Sequence, residues 1–285
     1  MPLEVKDLNF SYMPGTPFAV QALKNINLSV NEGEFIGIIG HTGCGKSTLI
    51  QQMAGLVKPD SGSVLLDGQD INGDGYDRKQ LRRKVGVVFQ YPEYQLFEET
   101  VGQDVAFGPK KAGMTETEIE KNVDTALSLV GFDPHEIKPF SPFDLSGGQK
   151  RKVAIAGVLA TDPSILILDE PVSGLDPVGR EAFMELVKKL NDSGITIIMI
   201  SHNMDGLAEY AGRIVAMSEG EIVKDGSAKE VFSDMGMLQG LGLDVSDARK
   251  TAHMLEQRGF DMPRGIIKMD ELIEQIIRNL GRQDA

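Results

Sequence analysis

Tryptophan is absent from this sequence, cysteine occurs once and histidine four times, and no apolar run approaches the length of a membrane span. A single cysteine leaves no disulfide framework, which fits a reducing cytosol. A membrane helix needs about 20 consecutive apolar residues. Without one, any work at a membrane is done as the guest of another subunit. Lack of tryptophan also removes the side chain best suited to anchoring at a membrane interface. The opening MPLEVKDLNF has no basic segment leading into an apolar run, so no signal peptide is read. Positive charge is scarce too: 29 Lys and Arg stand against 42 Asp and Glu, a net charge of -13. Such a surface repels polyphosphate backbones, so nucleic acid is not expected as a partner. Any phosphate bound here must be captured locally, by backbone amides, a few cations and a metal.

What is present is a chain of 285 residues with 41% hydrophobic content, enough for one large domain and a small appendage. Residues 3 to 10 alternate apolar and polar, while EFIGIIG, KVGVVFQ, SILILDE and ITIIMIS are short runs rich in β-branched residues. Strands buried on both faces read this way. Helical patterns lie between them. In TETEIEKNVDTALSLVG, Thr115 and Glu118 make a capping box, Ile119, Val123, Ala126 and Val130 form one stripe, and Gly131 ends it. Strands alternating with helices imply an α/β fold whose sheet is mainly parallel. Near Gly226 the character changes. Two helical segments follow, 246–258 with Ser246 as cap and Gly259 as stop, and 269–280. The second places Leu272, Ile273, Ile276, Ile277 and Leu280 on one side, a stripe expected to pack within a small C-terminal domain. The expected division is 1–225 and 226–285.

GHTGCGKST, residues 40 to 48, has the pattern glycine, four residues, glycine-lysine-serine, after a strand and before a helix. Glycines let successive N–H groups wrap an anion, and the helix N-terminus adds its positive end. The expected phosphate loop is Gly40, His41, Thr42, Gly43, Cys44, Gly45, Lys46, Ser47 and Thr48. Lys46 is expected to reach the β- and γ-phosphates and Ser47 to hold Mg²⁺ through its hydroxyl. Cys44 within the loop is either a small filler or a thiol activated by Lys46 and the helix end. SILILDEP delivers two acids from the end of a buried strand, where open α/β sheets bind ligands. Asp169 is expected to hold Mg²⁺ and Glu170 to act as general base on the attacking water.

LSGGQ, residues 145 to 149, precedes the helical run KRKVAIAGVLATD. Together with the phosphate loop, LILDEP, SGLD at 173–176 and His202 after IIMIS, it closely resembles the ATP-binding cassette (ABC) ATPases over about residues 3 to 225. The resemblance implies a P-loop fold of that type: a mixed sheet core with an antiparallel β subdomain and a helical subdomain, followed by a small, mainly helical C-terminal domain. It also implies ATP and Mg²⁺, and two such chains facing head to tail. ATP then lies between the phosphate loop of one chain and Ser146, Gly147, Gly148 and Gln149 of the other. By the same resemblance Asp176 links the two sites, His202 contacts the γ-phosphate around Glu170, and Gln90 senses Mg²⁺ and the attacking water. Tyr12, at the end of the first strand, is the expected platform for adenine, with Phe18 as second choice.

The family contains several trades. A chromosome or repair ATPase would carry a long coiled-coil insertion between Lys46 and Ser146, a translation-type factor would carry two cassettes, and many exporters fuse membrane helices. This sequence has none of these, which leaves a separate ATPase subunit docked on a membrane protein at the cytoplasmic face. The stretch FQYPEYQLFEETVGQDVAFGP resembles the corresponding loop of the ATPases of energy-coupling factor transporters, importers of vitamins and metal ions. QLFEETV is most like the second-type subunit. The segment GLGLDVSDARKTAHMLEQRGFDMP resembles that family's C-terminal dimerisation-type domain. This implies a transmembrane coupling protein docking at Gln90 to Val101 and, indirectly, a substrate-binding membrane subunit. Glu98 and Glu99 are the expected partners of its arginines, over an apolar floor of Tyr91, Tyr94, Leu96 and Phe97. Another ABC importer ATPase, such as a cobalt or nickel system, or a non-transport ATPase of the superfamily are the alternatives. Whether the chain pairs with itself or a sister stays open.

Overall fold

The computed structural model describes residues 3–283, with side chains through Leu280. Among these residues the strands form two sheets. The first is antiparallel, in the order β2 (Val20–Val30), β1 (Leu3–Tyr12), β4 (Ser61–Leu66), β5 (Gln69–Asp70). The second has six strands in the order β10 (Glu221–Ser227), β9 (Arg213–Ser218), β3 (Phe35–Ile39), β8 (Thr196–Ile200), β7 (Ile165–Asp169), β6 (Val85–Val88). From β9 to β6 all neighbours are parallel, and only β10 runs against its neighbour. The four apolar runs singled out in the sequence are β3, β6, β7 and β8.

Those strands are buried because both faces of the sheet are covered. Along β7, Leu166 and Leu168 enter one core while Ile165 and Ile167 enter the other; β8 divides Ile197 and Met199 from Ile198 and Ile200 in the same way. Burying a Leu or Ile side chain fully is worth about 1.5–3 kcal/mol relative to leaving it exposed. One core lies toward the helices at 101–111, 116–129, 147–159 and 177–192, the other under the antiparallel sheet and the helix Lys46–Met53. The helix Glu116–Leu129 has its capping box at Thr115 and Glu118, buries Ile119, Val123 and Ala126, and is followed by Gly131 at φ +85°.

The C-terminal segment is less separate than its composition suggests. Strand β10 runs through 225/226, and Val231, Phe232, Leu238 and Leu243 join the larger core. A small third cluster gathers Ala248, Ala252, Met262, Ile266 and Leu272 between helices Asp247–Glu256 and Met269–Gln283. Ser246 caps the first helix, and Gly259 at φ +89° follows it. The stripe on the last helix divides, contrary to expectation. Leu272 is buried and Ile276 packs beside it, but Ile273, Ile277 and Leu280 stay about half exposed. One ten-residue helix is too narrow to cover the whole apolar face.

Candidate active site

The carboxyl ends of β3, β8, β7 and β6 open on one cleft of about 810 Å³. Crevices at that end are where parallel sheets bind ligands, because the connecting loops and helix N-termini converge there. From β3 comes the loop 40–45 and the helix starting at Lys46. From β7 come Asp169 and Glu170, from β8 His202, and after β6 Gln90.

The loop is shaped by its glycines. Gly43 and Gly45 have φ of +83° and +106°, conformations that disfavour a side chain, and a Cβ on Gly45 would meet the Ala22 carbonyl oxygen at 2.5 Å. Thr42, Gly43, Gly45, Lys46, Ser47 and Thr48 line the cleft. Gly40 and His41 stand behind it, their carbonyl oxygens accepting from Lys46 Nζ at 2.6 and 3.0 Å. Cys44 is also behind it, 1% exposed and set in the core, as a filler would be. Lys46 Nζ lies 3.9 Å from its sulfur, as the reactive reading expects, but a thiol so deeply buried is shielded from reagents.

The acids meet the loop from across the cleft. Asp169 faces the Ser47 hydroxyl, and burial raises its carboxyl above the ordinary range, against the pull of Ser47 and Lys46. Glu170 is likewise raised, first by burial, with the His202 imidazole and backbone N–H acting in the opposite direction. His202 N donates to Glu170 Oε2 at 3.3 Å and its Nε2 lies 3.4 Å from Oε1. That second contact has ion-pair distance without hydrogen-bond geometry, so Oε1 is a buried oxygen with no donor of its own. Glu170 also has φ +48°, rare for a residue with a side chain, and is held by its N–H on the Ile200 carbonyl at 3.0 Å. A strained backbone at about 1–3 kcal/mol that aims a carboxylate into a cleft is typical of a functional position.

These residues suit Mg²⁺. Among the described residues no three His, Cys, Asp or Glu side chains cluster as a complete metal cage. The Ser47 hydroxyl and Asp169 carboxylate face each other, with Gln90 on the same cleft. Mg²⁺ is usually held by one or two protein oxygens and otherwise by phosphate and water.

Tyr12 also lines the cleft. It is 43% exposed, with its hydroxyl 3.1 Å from Thr48 Oγ1 and its ring edge-on to Phe10. Phe18 lies outside the lining, so of the two proposed platforms Tyr12 is the one in place.

The second set of expected residues is elsewhere. Ser146 and Gln149 cap the helix Gly147–Leu159 reciprocally, at 3.4 and 3.0 Å, and border a different cavity with Leu175 and Gly179. A Cβ on Gly147 or Gly148 would meet nothing of this chain, so internal packing does not demand glycine at either position. Asp176 is exposed and caps the helix Pro177–Asp192 by accepting from Gly179 N at 2.7 Å. This chain therefore brings Tyr12, the loop, Gln90, Asp169, Glu170 and His202 together. It leaves 146–149 and 176 apart from them.

In the segment after Gln90, Tyr91, Tyr94 and Phe97 are exposed, but Leu96 turns into the core and is not part of any outer floor. Glu99 is exposed and Glu98 partly so. Sequence reasoning missed Arg151. It is 5% exposed and grips Glu93 and the Ser173 carbonyl. An arginine in a helix looks like a solvated charge, and only the close approach of three distant segments shows otherwise.

The family model described as ABC transporter matches residues 23–173. A Clostridium acetobutylicum protein, "Energy-coupling factor transporter ATP-binding protein EcfA2", is 46% identical over 281 residues, 98% of each chain. Its namesake in Symbiobacterium thermophilum is 48% identical over 286 residues, covering 100% of this chain and 99% of the other. Among solved structures, cbiO1 of Clostridium perfringens, part of the ABC transporter complex cbiONQ, superposes with a TM-score of 0.72 at 41% identity. That match covers 89% of this chain and 98% of the other. The dimeric cassette MJ0796 in a post-hydrolysis state bound to ADP and Pi gives 0.69 at 32%, covering 79% and 98%.

Proposed function

The chain belongs to the ABC transporter ATPase family, and from that premise we propose that it is the second-type ATP-binding subunit of an energy-coupling factor importer. Near-full-length identity to such subunits supports the assignment. In this reading the chain is an ATP hydrolase that drives uptake of vitamins or metal ions through a membrane coupling protein. It works at the cytoplasmic face of the membrane, paired head to tail with a second ATPase chain. Residues 1–225 serve as the ATP-binding domain and 226–285 as the dimerisation-type domain.

The observation that carries hydrolysis is the meeting of Glu170, His202, Lys46 and Ser47 on one cleft. Tyr12 offers its ring to adenine. The amides of the loop and the N-terminus of the helix Lys46–Met53 cradle the phosphates. Lys46 exchanges its two carbonyl partners for β- and γ-phosphate oxygens. Ser47 and Asp169, with Gln90 nearby, would hold Mg²⁺, which would supply positive charge against the phosphates. Glu170 takes the proton of the attacking water, and His202 holds the Glu170 carboxylate in place. Ser146, Gly147, Gly148 and Gln149 close over the nucleotide of the partner chain, with Asp176 between the two sites.

The test is Glu170→Gln. Removing a positioned general base should cut turnover by about 10²–10⁴, while ATP affinity holds. Hydrolysis near the unsubstituted rate would remove the role assigned to Glu170.

A further inference from the structure

Arg151 sits on the second turn of the helix Gly147–Leu159. Its Nε donates to Glu93 Oε2 at 3.0 Å, its Nη2 to Glu93 Oε1 at 3.3 Å, and its Nη1 to the Ser173 carbonyl at 2.9 Å. One guanidinium thereby joins three segments distant in sequence. Each belongs to a different part of the site. Glu93 follows Gln90 by three residues, Arg151 follows Ser146 by five, and Ser173 follows Glu170 by three. Ser173 lines the nucleotide cleft, and its N–H donates to the Glu170 carbonyl at 3.1 Å. The Tyr91 hydroxyl lies 3.4 Å from Ser173 Oγ, a second tie between the same two loops.

We propose that Glu93 and Arg151 are positioning residues for ATP hydrolysis. They lock the Gln90 segment, the helix Gly147–Leu159 and the turn carrying Glu170 into one register. A buried ion pair is weak support for stability, because its desolvation cost offsets its attraction; register is the better attested use of such a pair. The fork geometry suits that use, since a bidentate guanidinium–carboxylate contact fixes orientation as well as distance. The third donor explains why arginine stands here, because lysine presents a point charge with no planar fork to span both partners. It also bears on the strained turn. Arg151 holds the Ser173 carbonyl, Ser173 holds the Glu170 carbonyl, and Glu170 needs external support to keep φ +48°. A shift of the Gln90 segment is thus transmitted both to the base and to the residues that face the partner's nucleotide.

This inference rests on the ATPase reading, and the test separates the two. Full-length Glu93→Gln, Arg151→Lys and the double variant are assayed at a temperature well below each one's own Tm, so that all are folded. Each single variant should lose about 10- to 100-fold in kcat, as misplacement of reacting groups does, with ATP Kd within about twofold of the parent. The double variant should lose no more than the worse single, because both changes break one unit. Full kcat in folded Glu93→Gln, or additive losses, would overturn the proposal. A second readout needs no turnover. Spin labels at Lys121→Cys and Ser193→Cys, both exposed, report the distance between the helical layer and the sheet core. Cys44, 1% exposed, can remain. ATP should change that distance in the parent and fail to do so in Glu93→Gln. An identical ATP response in both chains, or none in the parent, sinks the strut. If the parent binds ATP but does not hydrolyse it, the ATPase reading fails by itself and the distances still decide.

Discussion

Glu170 and Glu118 illustrate two opposite uses of a carboxylate. Glu170 is buried against Asp169 with one oxygen unpaired, so its charged form is disfavoured and its pKa lies above the ordinary 4.5. That suits a base. Glu118 accepts from Thr115 N at 2.7 Å and from the Thr115 hydroxyl at 2.9 Å, and these bonds hold its pKa below 4.5. With the folded value depressed, its contribution is fully present above 4.5 and is lost as pH falls through the folded value. Carboxyl-carbon NMR should therefore find Glu118 titrating below a free glutamate. Thr115→Ala should move it upward, though not all the way, since the backbone donor survives. An unshifted Glu118 in the parent protein would contradict the capping geometry. Loss of the cap should also destabilise the protein by about 1 kcal/mol, visible as a lower Tm.

At the scale of elements, the phosphate loop is where local and tertiary demands coincide. Gly45 satisfies a backbone at φ +106° and a close approach to the Ala22 carbonyl at once. Gly45→Ala should cost about 1–3 kcal/mol in backbone strain alone and should abolish tight ATP binding, since the loop must open to admit the methyl. Calorimetry with ATP and a thermal melt would check both, and unchanged affinity would refute the cradle. The four central strands and the helix 116–129 were legible because burial on both faces and a capping box leave local signatures. The short strand β5 was not legible. Two residues, Gln69 and Asp70, have no periodicity, and their extended form depends on pairing with Leu65 and Leu66.

At the scale of the molecule, Tyr91, Tyr94, Phe97 and Glu99 of the segment after Gln90 are exposed, beside Phe107 stacked edge-on with Phe97 at 4.9 Å. Changing Glu98 and Glu99 together to Arg should leave ATP binding intact and prevent co-purification with the membrane subunits, by reversing charge at the proposed dock. Normal assembly of that double variant would remove the docking site from this loop. The C-terminal helices are tied to the main body by Asp247 N on Asp205 and by Lys268 Nζ on the Glu209 carbonyl, both at 2.8 Å. Both acceptors belong to the helix Met204–Tyr210, which begins two residues after His202. Among the described residues no helix is long and apolar enough to cross a membrane.

The sequence by itself determined the chemistry. Glycine-lysine-serine after a strand, two acids at the end of another and LSGGQ before a helix are contiguous patterns, because in the proposed reading each one would wrap or face a phosphate with a single stretch of backbone. It also carried the central strands, whose burial is written in their own residues. Only the tertiary structure decided which of these patterns share a cleft, that Leu96 turns inward, that half of the last helix's stripe stays uncovered, and that Arg151 is a buried strut. Those outcomes depend on contacts between separate segments of the chain, and no local pattern records which distant carbonyl or carboxylate a side chain will meet.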